Sequence, residues 1–135
     1  MKVGYGITTT PKRFDPGRDY FENALPGSAT YLHNDVEGIG GASCKNICIR
    51  ELYNKGCNYI ILMDDDTRIL HPEFTDLLIR AYQVTGIHHF TVGGSKTVLT
   101  NKQYPRGIKI NQHMRGSGVM LFITRKPYLR QERIL

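Results

Sequence analysis

Residues 58–66 read NYIILMDDD, an apolar run that ends abruptly in three carboxylates. The run has no polar alternation, which is typical of a strand buried on both faces of a parallel sheet covered by helices. Adjacent aspartates repel one another, and a hard divalent cation is a common partner for such a group. Because open α/β sheets bind ligands beyond the carboxyl ends of their strands, the pattern favours a ligand site at Asp64, Asp65 and Asp66. The alternative is that these aspartates only break the strand and start a solvated turn.

The length of the chain, 135 residues, is that of one domain, so we expect a single domain over residues 1–135. The sequence has no apolar stretch long enough to span a bilayer, and residues 1–7, MKVGYGI, are too short and too broken by glycine for a signal peptide. Three cysteines without paired spacing argue against a disulfide framework or a zinc knuckle. We therefore expect a cytoplasmic protein with reduced cysteines.

The net charge of +6 is unevenly distributed along the chain. Residues 1–94 hold nine basic and eleven acidic residues, whereas residues 95–135 hold nine basic residues and a single acidic one. Such asymmetry indicates an anionic partner for the C-terminal part, although a basic surface can also serve only solubility.

Two strands predicted in the first 35 residues each end in polar side chains. Residues 2–7 alternate as a strand and lead into residues 8–13, which read TTTPKR. Hydroxyls and cations just beyond a strand end suit contacts with a nucleotide, although a polar connecting loop has the same composition. Residues 29–33 predict a second strand, after which Asp35 can accept hydrogen bonds from a base or sugar, or can simply be a turn residue.

The basic residue Lys45 occupies an unusual place in the helix predicted next. Ser43 is the expected N-cap of that helix, which should run to about Lys55 and bury small apolar side chains such as Cys44 and Cys48. A cation in the first turn opposes the helix dipole, which suggests that Lys45 serves something other than helix stability.

The other helices and strands are predicted from proline and glycine positions and from the spacing of apolar residues. Residues 15–25 predict a short helix between two Pro-Gly pairs. Pro72 is expected at the first position of a further helix that ends at Gly86. Residues 87–92 and 119–123 predict strands, and the polar stretch between them should hold two short strands around a turn.

In this order the elements resemble the nucleotide-sugar half of GT-A fold glycosyltransferases, close to family 2. The resemblance covers residues 2–126 and rests on NYIILMDDDTRI, ASCKN and GSGVMLFITRKP together with the threonine-rich loop. It implies a Rossmann-like α/β fold, a three-layer α/β/α sandwich with a mostly parallel sheet. It also implies a metal-dependent glycosyltransferase that uses Mn²⁺ or Mg²⁺ and a nucleoside-diphosphate sugar, in the first place a UDP-sugar.

The resemblance further implies roles for individual residues. Asp66, together with Asp64, would hold the metal ion against the diphosphate, and Asp64 would also lie near the ribose. Asp35 would bind the base. The other nucleotide-sugar-binding residues implied in this way are Thr8, Thr9, Thr10, Arg13, Lys45 and Asp65.

The catalytic base is where the sequence departs from the family. Family-2 enzymes usually carry an acidic segment after the strand that resembles GSGVMLFITRKP, but here the only acidic residue after that strand is Glu132. His113 is the candidate base, because the ordinary histidine pKa lies near neutrality. A histidine at this position can equally be an ordinary surface or core residue. Inversion and retention of the sugar configuration both stay open.

Two other classes of function are compatible with the sequence. The chain could be a non-catalytic nucleotide-sugar-binding module, or a subunit whose partner supplies the base. A metal-dependent nuclease or phosphotransferase using the aspartate triplet is less favoured, because the sequence has no other cluster of acids. For a transferase, the basic C-terminal part suggests an anionic acceptor such as modified DNA, with a lipid phosphate or a neutral glycan as alternatives.

Overall fold

The computed structural model describes residues 1–92, 98–113 and 120–125, with side chains throughout except at residues 98–101 and 110–113. A 3-10 turn, Pro105–Gly107, joins β5 to β6. The helices and strands along the chain are β1 Val3–Thr9, β2 Ala29–Asn34, α1 Gly41–Asn54, β3 Tyr59–Asp64, α2 Phe74–Thr85, β4 His89–Val92, β5 Val98–Gln103, β6 Lys109–His113 and β7 Met120–Thr124.

Within the described residues the main sheet has five strands in the order β2-β1-β3-β7-β4. β1 is parallel to β2 and to β3, whereas β7 is antiparallel to both of its neighbours. Four of these five strands therefore point the same way, and β7 alone runs against them. β5 and β6 form a separate antiparallel hairpin, as the sequence predicted. The chain is thus an α/β protein with an open, mixed sheet.

Helix α1 lies close to one face of the sheet because β1 presents glycines there. A Cβ atom at Gly4 would lie 2.7 Å from the Cys57 Sγ atom. A Cβ atom at Gly6 would lie 2.7 Å from Leu62 Cδ2 and 3.0 Å from Cys48 Cβ. Any side chain at Gly4 or Gly6 would therefore push α1 away from the strand that it covers.

The opposite face of the sheet packs against α2. Tyr5, Ile61 and Phe122 are fully buried there and form one apolar cluster with Leu78 of α2. The hydroxyl groups of Tyr5 and Thr75 lie 2.6 Å apart, so that this buried tyrosine has a polar partner. With one helix on each face, β3 is buried from Tyr59 to Met63, which confirms the prediction from its apolar run.

The helix predicted within residues 15–25 is wrong, because this segment forms successive turns. Asp15 Oδ1 accepts a hydrogen bond from the Gly17 N–H, and Asp19 Oδ1 accepts one from the Phe21 N–H. Such local bonds from side chain to backbone compete with helical hydrogen bonds. They give this segment hydrogen bonds that a helix would not use.

The two predicted helix starts are also wrong, although the predicted ends are confirmed. Helix α1 begins at Gly41, so Ser43 lies inside its first turn rather than at its N-cap. Helix α2 begins at Phe74, two residues after Pro72. The chain leaves α2 through Gly86, whose φ of 70° is left-handed, as a glycine C-cap allows. Among the described residues, neither helix is long and apolar enough to cross a membrane.

Candidate functional site

A cavity of about 250 Å³ opens at the carboxyl ends of β1, β2 and β3. Small-molecule sites usually occupy about 300–1,000 Å³, so this cavity is near the lower end of that range. A second cavity, beside residues 18–24, measures about 10 Å³, which is room for one water molecule at most. The larger cavity is lined by Thr8, Thr9, Thr10, Arg13, Asp35, Gly41, Cys44, Asp64, Asp65 and Asp66.

The parallel register of three strands brings the polar residues together. Thr8 of β1 is paired with Asp64 of β3 on one side and with His33 of β2 on the other. Thr9 is likewise paired with Asn34, and its carbonyl accepts the Asp35 N–H at 2.9 Å. Strand ends that lie far apart in the sequence therefore meet in a single row along this edge of the sheet.

Asp65 is the buried member of the aspartate triplet. Its Oδ2 atom accepts a 2.8 Å hydrogen bond from the Thr9 hydroxyl, and its Oδ1 atom lies 2.6 Å from Arg13 Nη2. A buried carboxylate needs such partners, because burying an unpaired charge is costly. Asp65 thus ties the loop after β1 to the turn after β3. It is the least accessible of the three carboxylates, with 8% of its side chain exposed.

Asp64 and Asp66 keep contact with solvent, with 38% and 67% of their side chains exposed. Asp64 Oδ1 is 3.8 Å from Lys45 Nζ, and Asp66 Oδ2 is 3.1 Å from Arg13 Nη2. Burial, and then the negative charges of Asp66 and Asp65, raise the pKa of Asp64, while Lys45 opposes that rise. The charge of Asp64 is therefore only partly compensated, so a cation bound here would stabilise it.

Among the described residues, two cations form ion pairs with the triplet, and each comes from a different part of the chain. Arg13 reaches Asp65 and Asp66 from the loop after β1, and hydrogen bonds to Asp66 and Asp65 raise its pKa. Lys45 is the fifth residue of α1, so it lies just beyond the first turn predicted for it, and it approaches Asp64 there. The carboxylate of Asp64, rather than the helix, is therefore the charged partner that the structure shows for Lys45.

Asp35 caps the loop that leads into α1. Its Oδ1 atom accepts the Ile39 N–H at 2.8 Å, and its Oδ2 atom accepts the Gly40 N–H at 3.0 Å. These hydrogen bonds, that of Gly40 first, lower the pKa of the Asp35 carboxyl, so the group stays ionised. Asp35 therefore has the structural role of a turn residue and also lines the cavity.

His33 and Cys44 complete a cluster that the sequence did not predict. Ligand atoms of His33, Asp35 and Cys44 all lie within 4.8 Å of one another. The Cys44 thiol is buried, and burial, followed by the charge of Asp35, raises its pKa. His33 comes from β2 and Cys44 from α1, so their approach depends on how α1 packs and leaves no pattern in the sequence.

The predicted base, His113, ends β6, and its side chain lies outside the described side chains. Within the hairpin, Lys102, Arg106 and Lys109 are exposed cations. Arg125 has a different role, because its guanidinium group donates hydrogen bonds to the carbonyl groups of Tyr53 and Cys57. The other basic residues of the C-terminal part, Lys96, Arg115, Lys126, Arg130 and Arg133, lie outside the described residues.

Comparison with known protein families finds no family that matches the chain. A search of curated proteins likewise finds no significant match.

Proposed function

We propose that the chain is a metal-dependent glycosyltransferase that moves a sugar from a nucleoside-diphosphate donor, in the first place a UDP-sugar. The observation that carries the proposal is the cavity at the carboxyl ends of three parallel strands, which combines four aspartates, three threonine hydroxyls and a cation. Ligand sites of open α/β sheets occur at this edge. The proposal includes assignment of the fold to the GT-A class, which the single reversed strand and the helix on each face support.

Asp64 and Asp66 are the residues that would hold the metal ion. Both are carboxylates with solvent contact at the mouth of the cavity, and oxygen ligands of this kind suit Mg²⁺ and Mn²⁺. The raised pKa of Asp64 means that its ionised form lacks full compensation, which fits a bound cation. Such an ion would stabilise the negative charge that develops on the leaving diphosphate.

Arg13 and Lys45 would bind the diphosphate from either side of the triplet. Each contacts a carboxylate at the edge of the cavity, and more than half of the Arg13 side chain is exposed. Exposed ion pairs of this type contribute little stability, so Arg13 can exchange Asp66 for a phosphate oxygen at small cost. Asp65 would hold the base of the Arg13 loop in place through Thr9 during that exchange.

The nucleoside would occupy the part of the cavity between the ends of β1 and β2. Thr8 and Thr10 line this part with hydroxyl groups, which can donate to or accept from a ribose or a base. Asp35 would contact the base only through lone pairs that are left over, because both of its oxygens already accept backbone N–H groups. Its contribution to nucleotide binding should therefore be smaller than that of the triplet.

Binding of UDP and of UDP-hexoses with Mn²⁺ tests the proposal by thermal shift. A ligand at 100 times its Kd raises the free energy of unfolding by about 2.7 kcal/mol, and EDTA should remove the effect. Asp64→Asn and Asp66→Asn should abolish the Mn²⁺-dependent part of the shift, while Asp76→Asn, an exposed aspartate outside the cavity, should leave it intact. Equal shifts for wild type and both triplet variants would refute the metal assignment.

Turnover separates an enzyme from a binding module. A radiolabelled UDP-sugar incubated with Mn²⁺ should release UDP, faster when a suitable acceptor is present. Metal-dependent binding without any release of UDP would instead identify a non-catalytic module or a subunit whose partner supplies the base. Cleavage of plasmid DNA without any binding of UDP would identify the nuclease alternative.

A further inference from the structure

We propose that His33, Asp35 and Cys44 form a second metal site, selective for Zn²⁺, on the side of the cavity opposite the acidic triplet. The three side chains supply one nitrogen, one oxygen and one sulfur ligand, all within 4.8 Å of one another. The site does not depend on the proposed function, because it requires a different class of metal ion and, apart from Asp35, different residues.

The type of ligand decides which metal the cluster prefers. Thiolate and imidazole are ligands for Zn²⁺ and related ions, whereas Mg²⁺ prefers oxygen donors. The acidic triplet offers oxygen alone, so one cavity would carry a hard and a soft site next to each other. The Cys44 thiol is the group that would make the cluster prefer Zn²⁺ to Mg²⁺, because Asp64 and Asp66 supply only oxygen ligands.

The geometry is close to that of a three-ligand zinc site. Zn–S bonds of about 2.3 Å and Zn–N bonds of about 2.0–2.1 Å place tetrahedral ligand atoms roughly 3.3–3.7 Å apart. Ligand atoms that are 4.8 Å apart would have to approach by up to about 1.5 Å, so binding requires rotation of the side chains. Three protein ligands leave a fourth position, and Asp35 and Cys44 both line the cavity, so that position would face it.

The carboxylate of the cluster is already oriented for this role. Hydrogen bonds from the Ile39 and Gly40 N–H groups hold both oxygens of Asp35 in place. Ligating carboxylates are usually held in this way by outer-shell donors. The competing explanation is that the Cys44 thiol simply donates a hydrogen bond to Asp35, in which case no metal would bind.

Titration of the full chain with Co²⁺ as a spectroscopic substitute for Zn²⁺ tests the site. A thiolate bound to Co²⁺ gives a charge-transfer band in the near ultraviolet, which ions held only by carboxylates do not give. We expect this band at one Co²⁺ per chain, its loss on addition of one equivalent of Zn²⁺, and its persistence in excess Mg²⁺. Absence of the band in the wild-type protein would overturn the proposal.

Variants identify the ligands. Cys44→Ser should abolish the band, whereas Cys48→Ser, one helical turn away, and Asp66→Asn should retain it. The His33 side chain is half-buried, and His33→Gln should weaken Co²⁺ binding. Loss of an outer-shell partner already costs about 10–100-fold in metal affinity, so loss of a ligand should cost at least as much. Circular dichroism verifies folding, and His33→Gln decides the matter if Cys44→Ser does not fold. A band that survives Cys44→Ser, or an affinity unchanged by His33→Gln, would show that this cluster is not the site.

Discussion

Thr9→Val tests how firmly the loop after β1 is fixed to the aspartates after β3. The Thr9 hydroxyl donates a 2.8 Å hydrogen bond to Asp65 Oδ2, and the two residues are only 4% and 6% exposed. A hydrogen bond to a charged group contributes about 1.5–3 kcal/mol, and valine keeps the shape of threonine without the donor. We therefore expect a loss of about 2 kcal/mol in the free energy of unfolding, or roughly 6–10 °C in Tm for a domain of this size.

Urea denaturation followed by circular dichroism measures this loss. Thr10→Val, at an exposed position of the same loop, is the matched control and should change stability by less than about 0.5 kcal/mol. In the Asp65→Asn background the acceptor is neutral, so Thr9→Val should cost only about 1 kcal/mol. A loss below about 0.5 kcal/mol for Thr9→Val, or equal losses in the two backgrounds, would refute the pairing.

Two further changes test the packing of α1 and the hairpin surface. Gly6→Ala should destabilise the protein by about 1–3 kcal/mol through overpacking against α1, whereas Gly41→Ala, where a Cβ meets nothing within 4 Å, should be neutral or slightly stabilising in the same urea denaturation. Replacing the exposed residues Arg106 and Lys109 by glutamate should flatten the salt dependence of binding to a labelled DNA duplex. Each phosphate contact contributes about −0.9 to the slope of log K against log salt concentration. Fluorescence anisotropy between about 50 and 200 mM salt measures this slope. UDP-sugar hydrolysis should be unchanged in that variant, and no duplex binding by the wild type at low salt would remove DNA as the acceptor.

The elements that sequence reasoning predicted correctly are those with a strong local signal. β3 is an unbroken apolar run, and its burial on both faces follows from that pattern alone. Gly86 and Gly56 end their helices in left-handed conformations that favour glycine. The aspartate triplet was predicted to lie at a strand end, which it does, because an apolar run followed by charges marks both the strand and the point where it ends.

Two of the errors, in residues 15–25 and at the start of α1, arise from hydrogen bonds between aspartate side chains and the backbone. Residues 15–25 lie between Pro-Gly pairs, as a short helix would, but the side chains of Asp15 and Asp19 accept hydrogen bonds from backbone N–H groups two residues ahead. Helix α1 begins before Ser43 because Asp35, from the end of β2, accepts the N–H groups that precede Gly41. Periodicity and capping statistics do not include acceptors supplied from outside the helix, so they misplaced the N-cap by three residues, at Ser43 instead of Gly40.

The sequence by itself determined that a buried strand ends in three carboxylates and where two helices stop. Those features depend on residue type and on spacing within a single element. Only the tertiary structure decided that β7 runs against its neighbours, that Asp65 is the buried aspartate held by Thr9 and Arg13, and that His33, Asp35 and Cys44 meet. The physical reason is that such contacts depend on strand register and on helix docking, which are set by packing between residues distant in the sequence.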